Sequence, residues 1–214
     1  MPQNTTISEN TLGQLLDRAV ERHPDNDAVI YVDRDYRLTW RQFGQQVDQL
    51  ARGLMALGVN QGEKVAIWAN NVPHWVGLQF ATAKIGAVLV TVNTHYKIAE
   101  LEYLLRQSES ENLFIIDGYR DTDYLSTVYE LVPELKTQAR GFVRSERFPR
   151  LKRVFFLGQE KHRGMYSLPE VMGLAAMTSP ADYQARQAAL SAHDVVNMQY
   201  TSGTIGFPKG VMLT

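Results

Sequence analysis

The side chains best suited to chemistry gather near the carboxyl end, where Tyr200 to Leu213 reads YTSGTIGFPKGVML. An apolar approach through Val195, Val196, Met198 and Tyr200 runs into Thr201, Ser202, Gly203, Thr204, Gly206 and Lys209, and Val211 to Leu213 make an apolar exit. That order predicts strand, polar glycine loop, strand. Ser and Thr hydroxyls, backbone amides freed by glycine to take positive φ, and a lysine ammonium can together wrap a polyphosphate. The loop departs from the Walker A pattern, because Pro208 precedes Lys209 and Gly210 follows it, so no helix dipole is expected behind the anion. A plainer reading, a glycine-rich hairpin whose hydroxyls cap turns, stays open on these residues alone.

The remaining polar side chains carry less. His23, His74, His95, His162 and His193 are scattered, with no pair at metal-ligand spacing and no neighbouring nucleophile pattern, and are expected to be structural or on the surface. Asp17, Asp48 and Glu102 lie among helical residues and read as solvated faces. Arg140, Arg144, Arg147, Arg150, Lys152 and Arg153 cluster locally and read as a solvated connector, since a nucleic-acid site calls for a broader basic face with interleaved aromatics. The absence of cysteine excludes disulfides, thiolate nucleophiles and cysteine metal sites, and fits a cytoplasmic location.

Elements that could position the loop follow from the hydrophobic spacing. Leu12, Leu15, Leu16, Ala19 and Val20 share a helical face, with Asn10 or Thr11 placed to cap it and His23 and Pro24 to end it. Ala28 to Val32 and Tyr36 to Leu38 read as a small hairpin around Asp33, Arg34 and Asp35. Thr39 with Gln42 makes a capping box, and Trp40, Phe43, Val47, Leu50, Ala51 and Leu54 continue at helical spacing to Gly58. From there strands at Lys64 to Trp68, Ala87 to Val92 and Leu113 to Ile116 alternate with a helix opened by Pro73 and one bearing Ile98, Leu101, Leu104 and Leu105. Thr122 to Val132 reads as a helix stopped by Pro133, and Val154 to Leu157 as another strand. Ser167 with Glu170 makes a second capping box, and Pro180 to Ala192 a surface helix. Alternation at this spacing implies an α/β fold, a mainly parallel sheet flanked by helices.

A length of 214 residues suffices for one large domain or two small ones with a real buried core. With 44% apolar and 21% charged residues and a formal net charge of −1, the balance is that of a globular protein, and nothing in it favours nucleic acid or an anionic membrane. The polar start MPQNTTISEN lacks the basic and apolar regions of a signal peptide, and the longest apolar run, Gly86 to Val92, is far short of the roughly 20 residues a membrane helix needs.

The loop string resembles the phosphate-binding motif of the adenylate-forming superfamily, which includes acyl-CoA synthetases, luciferases and peptide-synthetase adenylation domains. Leu38 to Ser110 resembles the amino-terminal half of fatty acyl-CoA synthetases throughout, and VNTHYKIAELEYLL is closer to their medium- and long-chain branch. The resemblance implies an acid-thiol ligase of lipid metabolism. A fatty carboxylate attacks the α-phosphorus of ATP to give an acyl-adenylate and pyrophosphate, and coenzyme A thiol then displaces AMP, with Mg2+ sharing the charge. It assigns Thr201, Ser202, Gly203, Thr204, Gly206 and Lys209 to the ATP phosphates, and gives no residue of this chain a catalytic or metal-ligating role. Ile205 stands where the family usually has threonine.

Family members run to more than twice this length. Residues 1–214 are therefore expected to be a partial amino-terminal AMP-binding domain ending just after the phosphate loop, without the carboxyl-terminal domain, inactive alone and able to self-associate through the face left uncovered. The alternatives are a stand-alone phosphate-binding module and a non-catalytic interaction domain. Calorimetry with ATP and Mg2+ separates the module from the other two.

Overall fold

The computed structural model describes residues 9–201 and 208–214. The chain opens with α1 (Leu12–Arg22), capped by Thr11: the Thr11 hydroxyl accepts from the Gln14 amide while the Gln14 side chain accepts from the Thr11 amide. A short antiparallel hairpin follows, β1 (Asp27–Tyr31) and β2 (Tyr36–Thr39). Thr39 and Gln42 form the expected box on α2 (Trp40–Ala56), which buries Phe43, Val47, Leu50, Ala51 and Leu54. Gly58, with φ of 78°, turns the chain where a side chain would be strained.

The central layer is a seven-stranded sheet built from β3 (Lys64–Trp68), α3 (Pro73–Lys84), β4 (Val88–Thr91), α4 (Ile98–Gln107) and β5 (Asn112–Ile115). The two-stranded hairpin β6 (Gly118–Tyr119) and β7 (Thr122–Asp123) leads into α5 (Tyr124–Leu131). Next come β8 (Arg153–Phe156), β9 (Met165–Ser167), α6 (Leu168–Gly173), α7 (Pro180–Ala188), β10 (Asn197–Thr201) and β11 (Lys209–Leu213). The strand order is β11-β10-β4-β3-β5-β8-β9, parallel throughout except for the β10–β11 hairpin. A mainly parallel sheet between helices is thus the fold. β5 and β8 are buried along their whole length, and Phe114 and Phe155 stack between them at 4.3 Å. β11 forms one edge of the sheet, with Val211, Met212 and Leu213 exposed. Among the described residues no helix is long and apolar enough to cross a membrane.

Several sequence expectations need correction. The helix expected from Thr122 begins at Tyr124, because Thr122 and Asp123 pair with Tyr119 and Gly118 and the Asp123 carboxylate then caps the Ser126 amide. The helix expected to run to Ala192 ends at Ala188. β9, three residues long, was too short to stand out. Asp17 and Asp48 are not simply solvated: their carboxylates accept from the buried Lys84 ammonium at 2.5 and 2.6 Å, and Asp48 also accepts from the Tyr183 hydroxyl at 2.8 Å. Glu102 is clamped by the Arg147 guanidinium.

The basic cluster is likewise not a plain solvated connector. Arg153 is buried against Glu63, Asn112 and the Gly58 carbonyl, while Lys152 reaches Glu63, Arg140 reaches Glu170 and Arg150 lies 3.5 Å from Glu111. These cations fasten the 137–153 connection to the sheet and its neighbours, which one-dimensional spacing could not reveal.

Candidate functional site

In a parallel sheet the carboxyl ends of the strands open onto one rim, and that rim is where α/β proteins hold ligands. β4 and β10 run side by side in it, with Gln199 opposite Thr91. β10 then ends at Thr201, and β11 returns from Lys209 directly across from it. Thr201 and Lys209 are both exposed, so the structure places a hydroxyl and an ammonium face to face at the mouth of the hairpin. Ser202, Gly203, Thr204 and Gly206, and Ile205 with them, lie outside the described residues.

The neighbouring turn after β4 is fixed from below. Trp68 Nε1 donates to the Asn93 carbonyl at 3.2 Å, Tyr124 Oη donates to the Thr94 carbonyl at 2.7 Å, and the two rings stack at 3.6 Å. Burial pushes the Tyr124 hydroxyl up to about 12, so it stays a neutral donor at physiological pH. Within the turn, the Asn93 side chain accepts from the His95 amide at 2.9 Å, closing an Asx turn. The turn leads into α4, whose Tyr103 reaches the Pro208 carbonyl at 3.3 Å.

Tyr96, Tyr103 and Tyr200 therefore surround the root of the hairpin. Burial raises the Tyr200 hydroxyl to about 12, with a hydrogen bond from Ser108 working against the shift and the neighbouring Tyr103 and Tyr96 adding to it. Tyr96 and Tyr103 carry almost no signal of this role in the sequence, and Tyr200 reads there only as part of the apolar approach to the loop. The one available signal was that Tyr103 falls off the apolar stripe of Leu101, Leu104 and Leu105 within an otherwise ordinary amphipathic helix.

Among the described residues, two cavities are placed against the sheet. One, of about 750 Å³, lies at the carboxyl ends of β3, β5 and β8 and is lined by Asn70, His74, Asp117, Glu160 and His162 among others. The other, of about 550 Å³, lies below the hairpin beside Gln79, His193, Asn197 and Thr214. His74 is held by Gln46, whose Nε2 lies 3.1 Å from Nδ1 and whose oxygen accepts from Tyr36, and burial first, then Arg34, holds the imidazole below its usual range. It is thus a neutral, structurally partnered histidine. Among the described residues no group of three or more His, Asp or Glu side chains could hold a metal ion.

The family model described as AMP-binding enzyme matches residues 16–214. YngI of Bacillus subtilis (strain 168), which carries an acyl-CoA synthetase name, is 49% identical over 97% of this chain and 38% of its own length. The mitochondrial medium-chain acyl-CoA ligase ACSF2 of Homo sapiens is 34% identical over 97% of this chain and 34% of its own. Among solved structures, the long-chain-fatty-acid-CoA ligase FadD1 of Archaeoglobus fulgidus superposes with a TM-score of 0.73 at 25% identity, covering 98% of this chain and 38% of that one. The chain thus spans little more than a third of the length of these relatives.

Proposed function

The chain belongs to the AMP-binding enzyme family, and on that basis we propose that it is the amino-terminal, phosphate-binding part of an ATP-dependent fatty acyl-CoA synthetase. The observation that carries the reading is the opposition of Thr201 and Lys209 at the mouth of the β10–β11 hairpin, on the rim of the parallel sheet. A hydroxyl and a flexible ammonium across a glycine-rich loop suit the oxygens of a triphosphate, and an exposed lysine acts there as a point charge. Ser202, Gly203, Thr204 and Gly206 belong to the same loop by the family motif. The relatives named above support a medium- or long-chain fatty carboxylate as substrate and coenzyme A as acceptor.

In this reading ATP supplies an activated phosphorus for carboxylate attack, and this chain's residues contribute position and charge. Thr201 and Lys209 bind the β- and γ-phosphate oxygens and hold the leaving pyrophosphate as its charge grows. Residues 1–214 form a partial AMP-binding domain, and the adenine pocket, acyl site and catalytic lysine of the family come from the length that its relatives have in addition.

Pyrophosphate release with octanoate or palmitate, ATP, Mg2+ and coenzyme A tests this. The chain alone is expected to give no turnover, because phosphate contacts without a positioned acyl group do not assemble the reacting centre. The chain extended to the length of its relatives is expected to turn over, and to lose at least tenfold in rate on Lys209→Ala. Normal turnover by residues 1–214 would refute the partial-domain reading, and an unaffected Lys209→Ala would refute the assignment of the loop.

A further inference from the structure

The hairpin has two stems, Tyr200–Thr201 on β10 and Pro208–Lys209 leading into β11, and both are held from one helix. On α4, Tyr103 and Gln107 are four residues apart and so project side by side. The Tyr103 hydroxyl donates to the Pro208 carbonyl at 3.3 Å, and the Gln107 side-chain oxygen accepts from the Tyr200 hydroxyl. α4 therefore reaches across roughly a hundred residues of sequence to grip the hairpin on each side of the loop.

The grip matters because the second stem lies at the edge of the sheet. β11 is the edge of the sheet and pairs with β10 alone, and Pro208 has no amide hydrogen to add to that ladder. The first stem is packed closely: a Cβ on Gly210 would come within 3.2 Å of the Tyr200 ring and 3.1 Å of the Met198 sulfur. Tyr200 thus lies over its cross-strand partner with its hydroxyl turned toward Gln107. Holding Thr201 and Lys209 in place before a ligand arrives lowers the ordering cost of binding.

We propose that Tyr103 and Gln107 are positioning residues for the phosphate loop, a two-point staple that fixes where Thr201 and Lys209 stand. The proposal rests on the reading of that loop as the ATP-phosphate site. Both residues contact the stems, so their effect is on the placement of Thr201 and Lys209 and, through it, on phosphate affinity.

The test compares the 214-residue chain with Tyr103→Phe, Gln107→Leu and Gln107→Glu. Three quantities are measured: melting temperature, backbone hydrogen exchange across residues 200–213, and affinity for magnesium tripolyphosphate. Tyr103→Phe keeps the ring and removes only the hydroxyl, and Gln107→Glu keeps an acceptor for Tyr200. Tyr103→Phe and Gln107→Leu are expected to speed exchange in 200–213 severalfold and to weaken tripolyphosphate binding about three- to tenfold, with the melting temperature little changed. Gln107→Glu is expected to keep the slow exchange of the parent. Unchanged exchange in both Tyr103→Phe and Gln107→Leu overturns the proposal, as does faster exchange with unaltered affinity, since the staple would then not serve the ligand. If the parent chain binds no tripolyphosphate while exchange responds as expected, the phosphate reading fails and the anchoring stands.

Discussion

Ile205 stands where the adenylate-forming motif usually carries threonine. Both side chains are β-branched, so the backbone preference is kept, but isoleucine puts a carbon where a hydroxyl would donate to a phosphate oxygen. A hydrogen bond to a charged group contributes roughly 1.5 to 3 kcal/mol, which corresponds to about ten- to a hundredfold. In the chain extended to its relatives' length, Ile205→Thr is therefore expected to raise the acyl-adenylation rate by about that factor. Rates equal within about twofold would show that no phosphate contact was missing. Single residues were also where sequence reasoning was weakest. The motif residues could be named because their chemistry is local. The pairing of Lys84 with Asp17 and Asp48 joins three helices, and a charge on a helix face looks the same in one dimension whether it meets water or a buried ammonium.

Helix packing sets the next scale, and Gly53 shows two effects in competition. In a helix interior alanine is favoured over glycine by about 1 kcal/mol, so Gly53→Ala should help α2 taken alone. At this position, however, a Cβ would stand 2.1 Å from the Val171 carbonyl oxygen and 2.8 Å from its carbon, both backbone atoms of α6. Neither can swing away, so the helices must part, at a cost typical of overpacking, about 1 to 3 kcal/mol. Packing is expected to win, and Gly53→Ala to lower the melting temperature by a few degrees. A raised melting temperature would contradict this close approach of α2 to α6. The elements themselves were largely legible. The Thr39–Gln42 and Ser167–Glu170 boxes start α2 and α6 where their side chains indicate, and Lys64 to Trp68 is a strand with the bounds its apolar run suggests. Short pairings such as β6 with β7 were not legible, because two residues carry no periodicity.

For the molecule as a whole, strand and helix alternation already implied a parallel sheet, and the loop string implied an anion at its rim. Alternation does not give strand order. Only the order puts β10 beside β4, and so brings the 92–97 turn and α4 against the hairpin from residues a hundred positions earlier. The proposed role, a phosphate-binding part of a larger catalytic unit, is tested most directly by calorimetry on residues 1–214. Magnesium complexes of ATP and of inorganic tripolyphosphate are titrated into the parent chain and into Lys209→Ala. If the chain contributes phosphate contacts alone, as proposed, the two ligands bind weakly and with affinities within about threefold of each other, and Lys209→Ala weakens both. Tight binding selective for ATP, or binding of either ligand unaffected by Lys209→Ala, would contradict the account.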